Sequence, residues 1–136
     1  MSGILRQLAA IFGRRAAEPQ DGRDWEARAA EYLEAKGFRV AARNVRMRLG
    51  EIDIVAVDGD EVVFVEVKKR GSREFGGPEY AIGAKKRRRI IKAAKEIIVR
   101  EKLSTRPCRF DVVLIYTGGD KPEFEHIENA FGEDTR

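Results

Sequence analysis

Cysteine and histidine are scarce in this sequence, whose 136 residues include one Cys, Cys108, and one His, His126. A single cysteine excludes an internal disulfide, and one Cys with one His cannot supply a tetrahedral Cys/His zinc site. The scarcity of cysteine fits a reducing compartment, so we expect a cytoplasmic protein.

Long apolar runs are also missing. No stretch approaches the roughly 20 apolar residues that a membrane-spanning helix needs, so we expect no membrane span. Arg6 and Gln7 interrupt the apolar run at 4–12, and no small-residue cleavage site follows before Arg14. We therefore predict a flexible or amphipathic segment over residues 1–21, with a membrane or partner anchor as the alternative to a loosely held turn. We assign residues 22–131 to a single domain and residues 132–136 to a polar tail, because this length suits one core.

Positive charge is concentrated in one part of the chain. The whole sequence has a net charge of +4, yet residues 68–109 contain fifteen Lys and Arg against four Asp and Glu. Such a split within one domain favours a basic face for a polyanion such as nucleic acid, and ordinary solvated helix surface is the alternative.

Hydrophobic periodicity and turn residues predict an α/β fold in which helices or other elements cover both faces of a sheet. Asp24 is a suitable N-cap for a first helix, and Gly37 is a suitable C′ residue to end it. Both faces of the central hairpin are largely apolar, which implies that other elements cover both sides. The predicted elements are a helix over 25–36, a strand over 38–44, a β-hairpin within 50–68, a helix over 84–102, a strand over 107–117 and a candidate edge strand over 124–127.

Three charged residues, Asp53, Glu66 and Lys68, lie inside the apolar runs of the hairpin. Burying a charge costs free energy unless it is paired, hydrated or bound to a metal. The dipeptide Asp58-Gly59 predicts a two-residue type I′ turn.

That turn pairs Val57 with Asp60, so Asp53 lies opposite Phe64 and diagonal to Glu66. Direct partners in a sheet share a face, so the three charged groups point to one side. The same reasoning places Ile52 and Ile54 together on the other side.

Two carboxylates on neighbouring strands can bind one hard divalent cation, so we predict an Mg²⁺ or Mn²⁺ site at Asp53 and Glu66. The main-chain carbonyl of Val67 and the carboxylate of Glu26, which falls on the apolar arc of the first helix, are candidate further ligands. Lys68 would orient a water molecule or stabilise charge on a phosphate. The alternatives are a metal-free Asp–Lys or Glu–Lys ion pair, and a Glu26 side chain that extends to solvent.

Basic residues on both sides of the hairpin would hold a nucleic-acid backbone against this site. A cluster of basic residues at a helix N-terminus opposes the helix dipole, which phosphate binding would explain. The predicted nucleic-acid-binding residues are Arg46, Arg48, Lys69, Arg70, Arg73, Lys85, Lys86, Arg87, Arg88 and Arg89.

Six short motifs resemble the YraN-like family of small bacterial proteins, and the resemblance covers about residues 22–131. The chain is also similar to the wider PD-(D/E)XK nuclease superfamily, including archaeal Holliday-junction resolvases. The motifs are Gly50-Glu51-Ile52-Asp53, Phe64-Val65-Glu66-Val67-Lys68, Phe75-Gly76-Gly77-Pro78, Lys86-Arg87-Arg88, Arg109-Phe110-Asp111-Val112-Val113 and His126-Ile127-Glu128-Asn129-Ala130-Phe131.

The resemblance implies a restriction-endonuclease-like αβββαβ core, with a mixed central sheet and helices on both faces. It also implies Mg²⁺-dependent hydrolysis of DNA phosphodiester bonds, with branched or damaged DNA as the expected substrate. It assigns metal binding to Asp53, the E-x-K motif to Glu66 and Lys68, and the glutamate of the first helix to Glu26. Ile52 stands where the motif often has proline. By analogy with resolvases, the resemblance also implies a homodimer.

Two other functions are compatible with the sequence. One is a nucleic-acid-binding protein that keeps the nuclease fold without cutting, and the other is an adaptor whose basic helix binds an acidic protein. The intact set of Asp53, Glu66 and Lys68 favours the enzyme, because a non-catalytic protein could lose any of them.

Overall fold

The computed structural model describes residues 3, 6, 8, 24–71 and 82–132. Within residues 24–71 and 82–132 there are two helices and five strands, in the order helix, three strands, helix and two strands. This order confirms the predicted α/β class. The elements are α1 (Trp25–Ala35), β1 (Arg39–Met47), β2 (Gly50–Asp58), β3 (Glu61–Arg70), α2 (Ala84–Arg100), β4 (Cys108–Tyr116) and β5 (Glu123–Phe131).

Helix α1 begins and ends where the sequence predicts. The Asp24 side chain accepts a hydrogen bond from the backbone N–H of Ala27 at 3.0 Å, which caps the first turn. Gly37 follows the helix with a φ of +103°, a conformation that a residue with a Cβ rarely adopts. Together these two residues fix the direction in which β1 leaves the helix.

The five strands form one mixed sheet in the order β1-β2-β3-β4-β5. The β3–β4 pair is parallel and is connected through α2, whereas the other neighbouring pairs are antiparallel. Strand β5 is longer than the edge strand predicted over 124–127.

A helix covers each face of the sheet, as predicted. The α1 side contains Ala29, Ala30, Leu33, Ile54, Ala56, Val63, Val65, Val113 and Ile115. The α2 side contains Ile90, Ala93, Ala94, Ile97, Val55, Val57, Phe64, Val112 and Leu114, together with the buried side chain of Leu8. The rest of segment 1–21 and of tail 132–136, apart from residues 3, 6 and 132, lies outside the described residues, so both boundaries stay predictions. No helix among the described residues is both long and apolar enough to span a membrane.

The register of the central hairpin differs from the predicted one by two residues. Asp58 pairs with Glu61, so Gly59 and Asp60 form the turn, and the prediction that Val57 pairs with Asp60 is wrong. Gly59 has a φ of +64° and Asp60 has a negative φ, which fits type II′ and not type I′. Because side chains alternate with a period of two, this even shift keeps the side chains from Ile54 to Val65 on their predicted faces. By the same count Asp53 comes level with Glu66, just beyond the last ladder pair, instead of diagonal to it.

The alternation along β2 breaks at Asp53. Ile54 packs on the α1 side, whereas Ile52 packs on the α2 side, so the prediction that they share a face is wrong. On β1, Asn44 has a φ of +53° and lies between the residues that pair with Ile54 and Ile52. Asp53 lies opposite this left-handed residue, at the point where the ladder between β2 and β3 ends.

Candidate metal and nucleic-acid site

The Asp53 carboxylate lies at the end of the β2–β3 ladder. The last ladder pair is Ile54 with Val65, and beyond it the Asp53 Oδ2 accepts a hydrogen bond from the backbone N–H of Val67 at 2.9 Å. This side-chain contact replaces the next ladder bond and holds the carboxylate between the two strands. The space between β2 and β3 beyond the Ile54–Val65 pair is here called the carboxylate gap. The N–H and C=O of one strand residue point the same way, so the Val67 carbonyl also faces this gap.

Glu66 is the other carboxylate of the gap. It is 5% exposed, and its carboxyl group lies close enough to that of Asp53 for hydrogen bonding to favour its protonated form. Its partner on β4 is Val112, which packs on the α2 side, so Glu66 faces α2. From that helix, Lys86 Nζ lies 3.3 Å from Glu66 Oε2.

The surroundings of Glu66 favour its neutral form. Burial is the largest effect, and together with the hydrogen bond and negative charge of Asp53 it raises the pKa of Glu66 to about 8. The positive charge of Lys86 acts in the opposite direction. A divalent cation held between the two carboxylates would also favour the ionised form of Glu66.

Glu26 approaches the gap from the other face of the sheet, because it belongs to the first turn of α1. Burial, followed by the charge of Asp53, raises the pKa of Glu26 to about 7, while Arg43 lowers it. The side chain is half-buried, so it does not simply extend to solvent. The charge of Asp53 therefore acts on a carboxylate on each face of the sheet, Glu26 and Glu66.

The donor set of the gap fits a hard cation that keeps much of its water. Asp53, Glu66 and the Val67 carbonyl offer oxygen ligands only, and Mg²⁺ typically uses one or two carboxylates with several waters. Among the described residues, no three His, Cys, Asp or Glu side chains form a group that could hold a metal ion. Glu26 thus acts on Asp53 through its charge in this geometry, and its role as a ligand stays a prediction.

Lys68 follows Glu66 by two residues on β3. It pairs with Leu114, which packs on the α2 side, so Lys68 lies on the same face as Glu66. Its side chain is exposed. The predicted set of Asp53, Glu66 and Lys68 is therefore gathered at one end of β3.

Most of the predicted nucleic-acid-binding residues are exposed. Lys69, Lys85, Arg88 and Arg89 are exposed, Arg70 is half-buried, and Arg73 lies outside the described residues. Arg87 is half-buried, and its Nη1 donates a hydrogen bond to the carbonyl of Ile82 at 3.0 Å. That bond ties Arg87 to the segment before α2.

A basic cleft of about 560 Å³ lies between the β1–β2 turn and α2. Its charged lining consists of Arg46, Arg48, Glu51, Lys86 and Arg89. Arg46 pairs with Glu51 at 3.2 Å, and both side chains are exposed to solvent. Lys86 lines this cleft and also contacts Glu66, so the cleft opens beside the carboxylate gap.

A second polar cluster was not predicted from the sequence. Asp111 is fully buried and accepts hydrogen bonds from Arg109, from His126 Nε2 at 2.7 Å and from the backbone N–H of Asn129. Burial acts to raise its pKa, but the hydrogen bonds from His126 and Arg109 outweigh it and hold the pKa of Asp111 below its ordinary value. These donors occupy both carboxylate oxygens, so Asp111 has a structural role.

Arg109 extends this cluster to the hairpin. Its Nη1 lies 3.0 Å from Asp58 Oδ2 and 2.7 Å from Glu61 Oε1, at the two residues that flank the β2–β3 turn. These contacts from β4 stabilise the register of the β2–β3 hairpin, and that register places Asp53 beside Glu66. An aspartate inside the apolar strand β4 and the single histidine on β5 were the available signals, but their partnership depends on a strand register that the sequence does not reveal.

The family profile and the individual relatives that match this chain all point to one protein family. The profile of the "Uncharacterised protein family UPF0102" matches residues 25–115. A UPF0102 protein of Symbiobacterium thermophilum is 47% identical over 111 residues, which cover 81% of this chain and 94% of that protein. A UPF0102 protein of Anaeromyxobacter dehalogenans is 44% identical over 115 residues, covering 85% of this chain and 86% of that protein.

A third relative, a UPF0102 protein of Clostridioides difficile, is 42% identical over 103 residues, covering 76% of this chain and 89% of that protein. These matches confirm the resemblance to the YraN-like proteins that the sequence motifs carry. The chain belongs to the uncharacterised protein family UPF0102.

Proposed function

We propose that this protein is an Mg²⁺-dependent endonuclease that hydrolyses phosphodiester bonds in DNA, with a restriction-endonuclease-like fold of the PD-(D/E)XK superfamily. The observation that carries the proposal is a pair of neighbouring carboxylates, the half-buried Asp53 and the buried Glu66, which lies beside a basic cleft. Neighbouring carboxylates withdrawn from solvent destabilise a folded chain, so their presence in a gap next to exposed Lys and Arg side chains favours a cation-binding function.

Asp53 and Glu66 would hold the cation, and the carbonyl of Val67 and the carboxylate of Glu26 are candidate further ligands. When bound, Mg²⁺ or Mn²⁺ supplies Lewis-acid chemistry that polarises a phosphoryl oxygen and lowers the pKa of water.

The reaction is in-line attack of water on phosphorus. A new P–O bond forms as the ester P–O bond breaks, and the leaving oxygen takes up a proton. Lys68 lies on the face of Glu66, where its ammonium group would orient the water or stabilise the charge that develops on the phosphate. Arg48 and Arg89 would hold neighbouring phosphates in the cleft.

Lys86 connects the two parts of the proposed site. Its Nζ lies 3.3 Å from Glu66 Oε2, and a phosphate in the cleft or a cation beside Glu66 would compete for the same contacts. We expect Lys86 to turn from Glu66 to the DNA backbone when both are bound.

The second candidate is a nucleic-acid-binding protein that does not cut. The raised pKa of Glu66, about 8, favours this alternative, because a protonated carboxyl group is a poor cation ligand at neutral pH. The basic cleft would serve either function.

Cleavage of labelled DNA separates the two. Linear, flapped and four-way DNA would be incubated with Mg²⁺, Mn²⁺ or EDTA, using the wild type, the Asp53→Ala variant and the Asp60→Ala variant. Asp60 is an exposed carboxylate at the hairpin turn and is the matched control. We expect metal-dependent products from the wild type and the Asp60→Ala variant alone. Equal results for the wild type and the Asp53→Ala variant on every substrate would contradict the nuclease and favour the nucleic-acid-binding protein that does not cut.

Binding measured in EDTA tests the cleft separately. Replacing Arg48 or Arg89 by Ala should weaken DNA binding and reduce the slope of log affinity against log salt by about one each. An unchanged slope would contradict the phosphate role. The homodimer and the cytoplasmic location stay predictions, and light scattering measures the first.

A further inference from the structure

One large apolar side chain is exposed at the rim of the basic cleft. Leu49 is 48% exposed, and in the described part of the chain Val99 is the other exposed large hydrophobic residue, at 76%. A single exposed apolar side chain on a protein surface needs no special explanation. Leu49 differs from Val99 in its position. Leu49 lines the basic cleft together with its neighbours Arg48 and Gly50, whereas Val99 lies in the last turn of α2.

The backbone that presents Leu49 is held firmly. Met47 pairs with Gly50, so Arg48 and Leu49 form a two-residue turn at the tip of the β1–β2 hairpin. A Cβ on Gly50 would lie 2.9 Å from the carbonyl oxygen of Arg89, so the hairpin backbone packs directly on α2. A rigid, preorganised contact loses little conformational freedom on binding.

Charge and apolar surface alternate around this tip. Arg48 flanks Leu49 in the sequence, Arg89 faces it from α2, and Met47 and Ile90 add apolar surface to the cleft wall. A continuous duplex presents phosphates to such a cleft, but the apolar faces of its bases are stacked on one another and are not open to Leu49. Proteins that bend DNA insert apolar wedges, Leu among them, between base pairs at a step that becomes unstacked. The cleft contains no aromatic side chain among its described lining residues, so it is not a base-stacking platform for single strands.

We infer that Leu49 is a wedge that enters an unstacked base step, and that the protein therefore prefers DNA whose stacking is already interrupted at a branch, flap or nick. This inference rests on the proposed nucleic-acid-binding function and names the substrate class of the same cleft. On a continuous duplex, Leu49 either has to unstack a step or stays in solvent. The mean stacking free energy of one step corresponds to about tenfold in affinity, which sets the expected preference at up to about tenfold.

The test measures binding in EDTA, so that cleavage does not contribute. The probes are a continuous DNA duplex and the same duplex with a single-stranded flap, each carrying 2-aminopurine beside the flap position. We expect the wild type and the Val99→Ala control to bind the flapped probe up to about tenfold more tightly and to raise its fluorescence. The Leu49→Ala variant should bind both probes equally, with no fluorescence rise and an unchanged salt dependence.

The outcomes separate this inference from the proposed function. If the wild type binds neither probe, both the wedge and the DNA-binding function are overturned. If the wild type and the Leu49→Ala variant bind with the same preference and fluorescence, the wedge alone is overturned. Loss of the preference in the Leu49→Ala variant supports the wedge, whether or not the protein cuts DNA in Mg²⁺.

Discussion

Replacing Glu66 by Gln should stabilise this protein at alkaline pH. The pKa of Glu66 rises from its ordinary value of 4.5 to about 8 in the folded chain. The folded state therefore binds the proton more tightly than the unfolded state, and stability is lost as the pH rises from 4.5 towards 8. Each pH unit in this range costs about 1.4 kcal/mol, so full ionisation of Glu66 costs at most about 5 kcal/mol.

Gln has nearly the shape of Glu and carries no charge, so the variant avoids this cost. Lys86 would lose its partner, but its side chain is 57% exposed and stays solvated. We expect the Glu66→Gln variant to gain between about 2 and 5 kcal/mol in the free energy of unfolding at pH 8, and less than about 1 kcal/mol at pH 5.

Urea denaturation in EDTA at the two pH values measures this difference. The matched control is Glu51→Gln, because Glu51 is 57% exposed and its pair with Arg46 should contribute only about 0 to 1 kcal/mol. Adding Mg²⁺ should stabilise the wild type at pH 8 and leave the Glu66→Gln variant unchanged, since the proposed site uses both carboxylates. A Glu66→Gln variant that is no more stable than the wild type at pH 8, or whose gain is equal at pH 5, would refute the reasoning.

Two further substitutions test the elements that shape the site. Asp111→Asn breaks a buried charge cluster and should cost about 3–5 kcal/mol in urea denaturation at pH 7, with a smaller difference in acid because the pKa of Asp111 is lowered. The exposed Asp60→Asn variant is its control, and a cost below about 1 kcal/mol would argue against the cluster. Gly50→Ala places a Cβ 2.9 Å from the Arg89 carbonyl oxygen and should cost about 1–3 kcal/mol. Gly71→Ala, which has open space around it, should change the melting temperature little, and equal effects of the two would contradict close packing at Gly50.

Local sequence signals predicted the elements well. Asp24 and Gly37 fixed the ends of α1, because a capping side chain and a left-handed residue act within one turn. The apolar period of α2 likewise depends on neighbouring positions. The α/β class and the helices on both faces followed from these signals.

The register of the hairpin was harder to predict, because Asp58-Gly59 and Gly59-Asp60 are both compatible with a tight turn. The structure uses the second, and Arg109 on β4 contacts the residues that flank it. Because the error is two residues, an even number, the predicted faces from Ile54 to Val65 are unchanged, and Asp53 still lies beside Glu66.

Features that depend on the pairing of distant strands could not be predicted from the sequence. The break in β2 at Asp53 arises with a left-handed Asn44 on β1, and nothing in the local pattern around Asp53 indicates it. The contact between Asp111 and His126 needs the β4–β5 register. Both features are long-range consequences of how the strands pair.

The most direct test of the proposed nuclease is single-turnover hydrolysis with the protein in excess over the DNA it binds most tightly. The wild type and the Asp53→Asn variant would be compared in Mg²⁺ at saturating concentrations, so that differences in binding do not affect the rate. The proposal predicts cleavage by the wild type that EDTA abolishes, and loss of cleavage in the variant while DNA binding persists. Equal rates for the two proteins, or no cleavage by the wild type in Mg²⁺ or Mn²⁺, would contradict it.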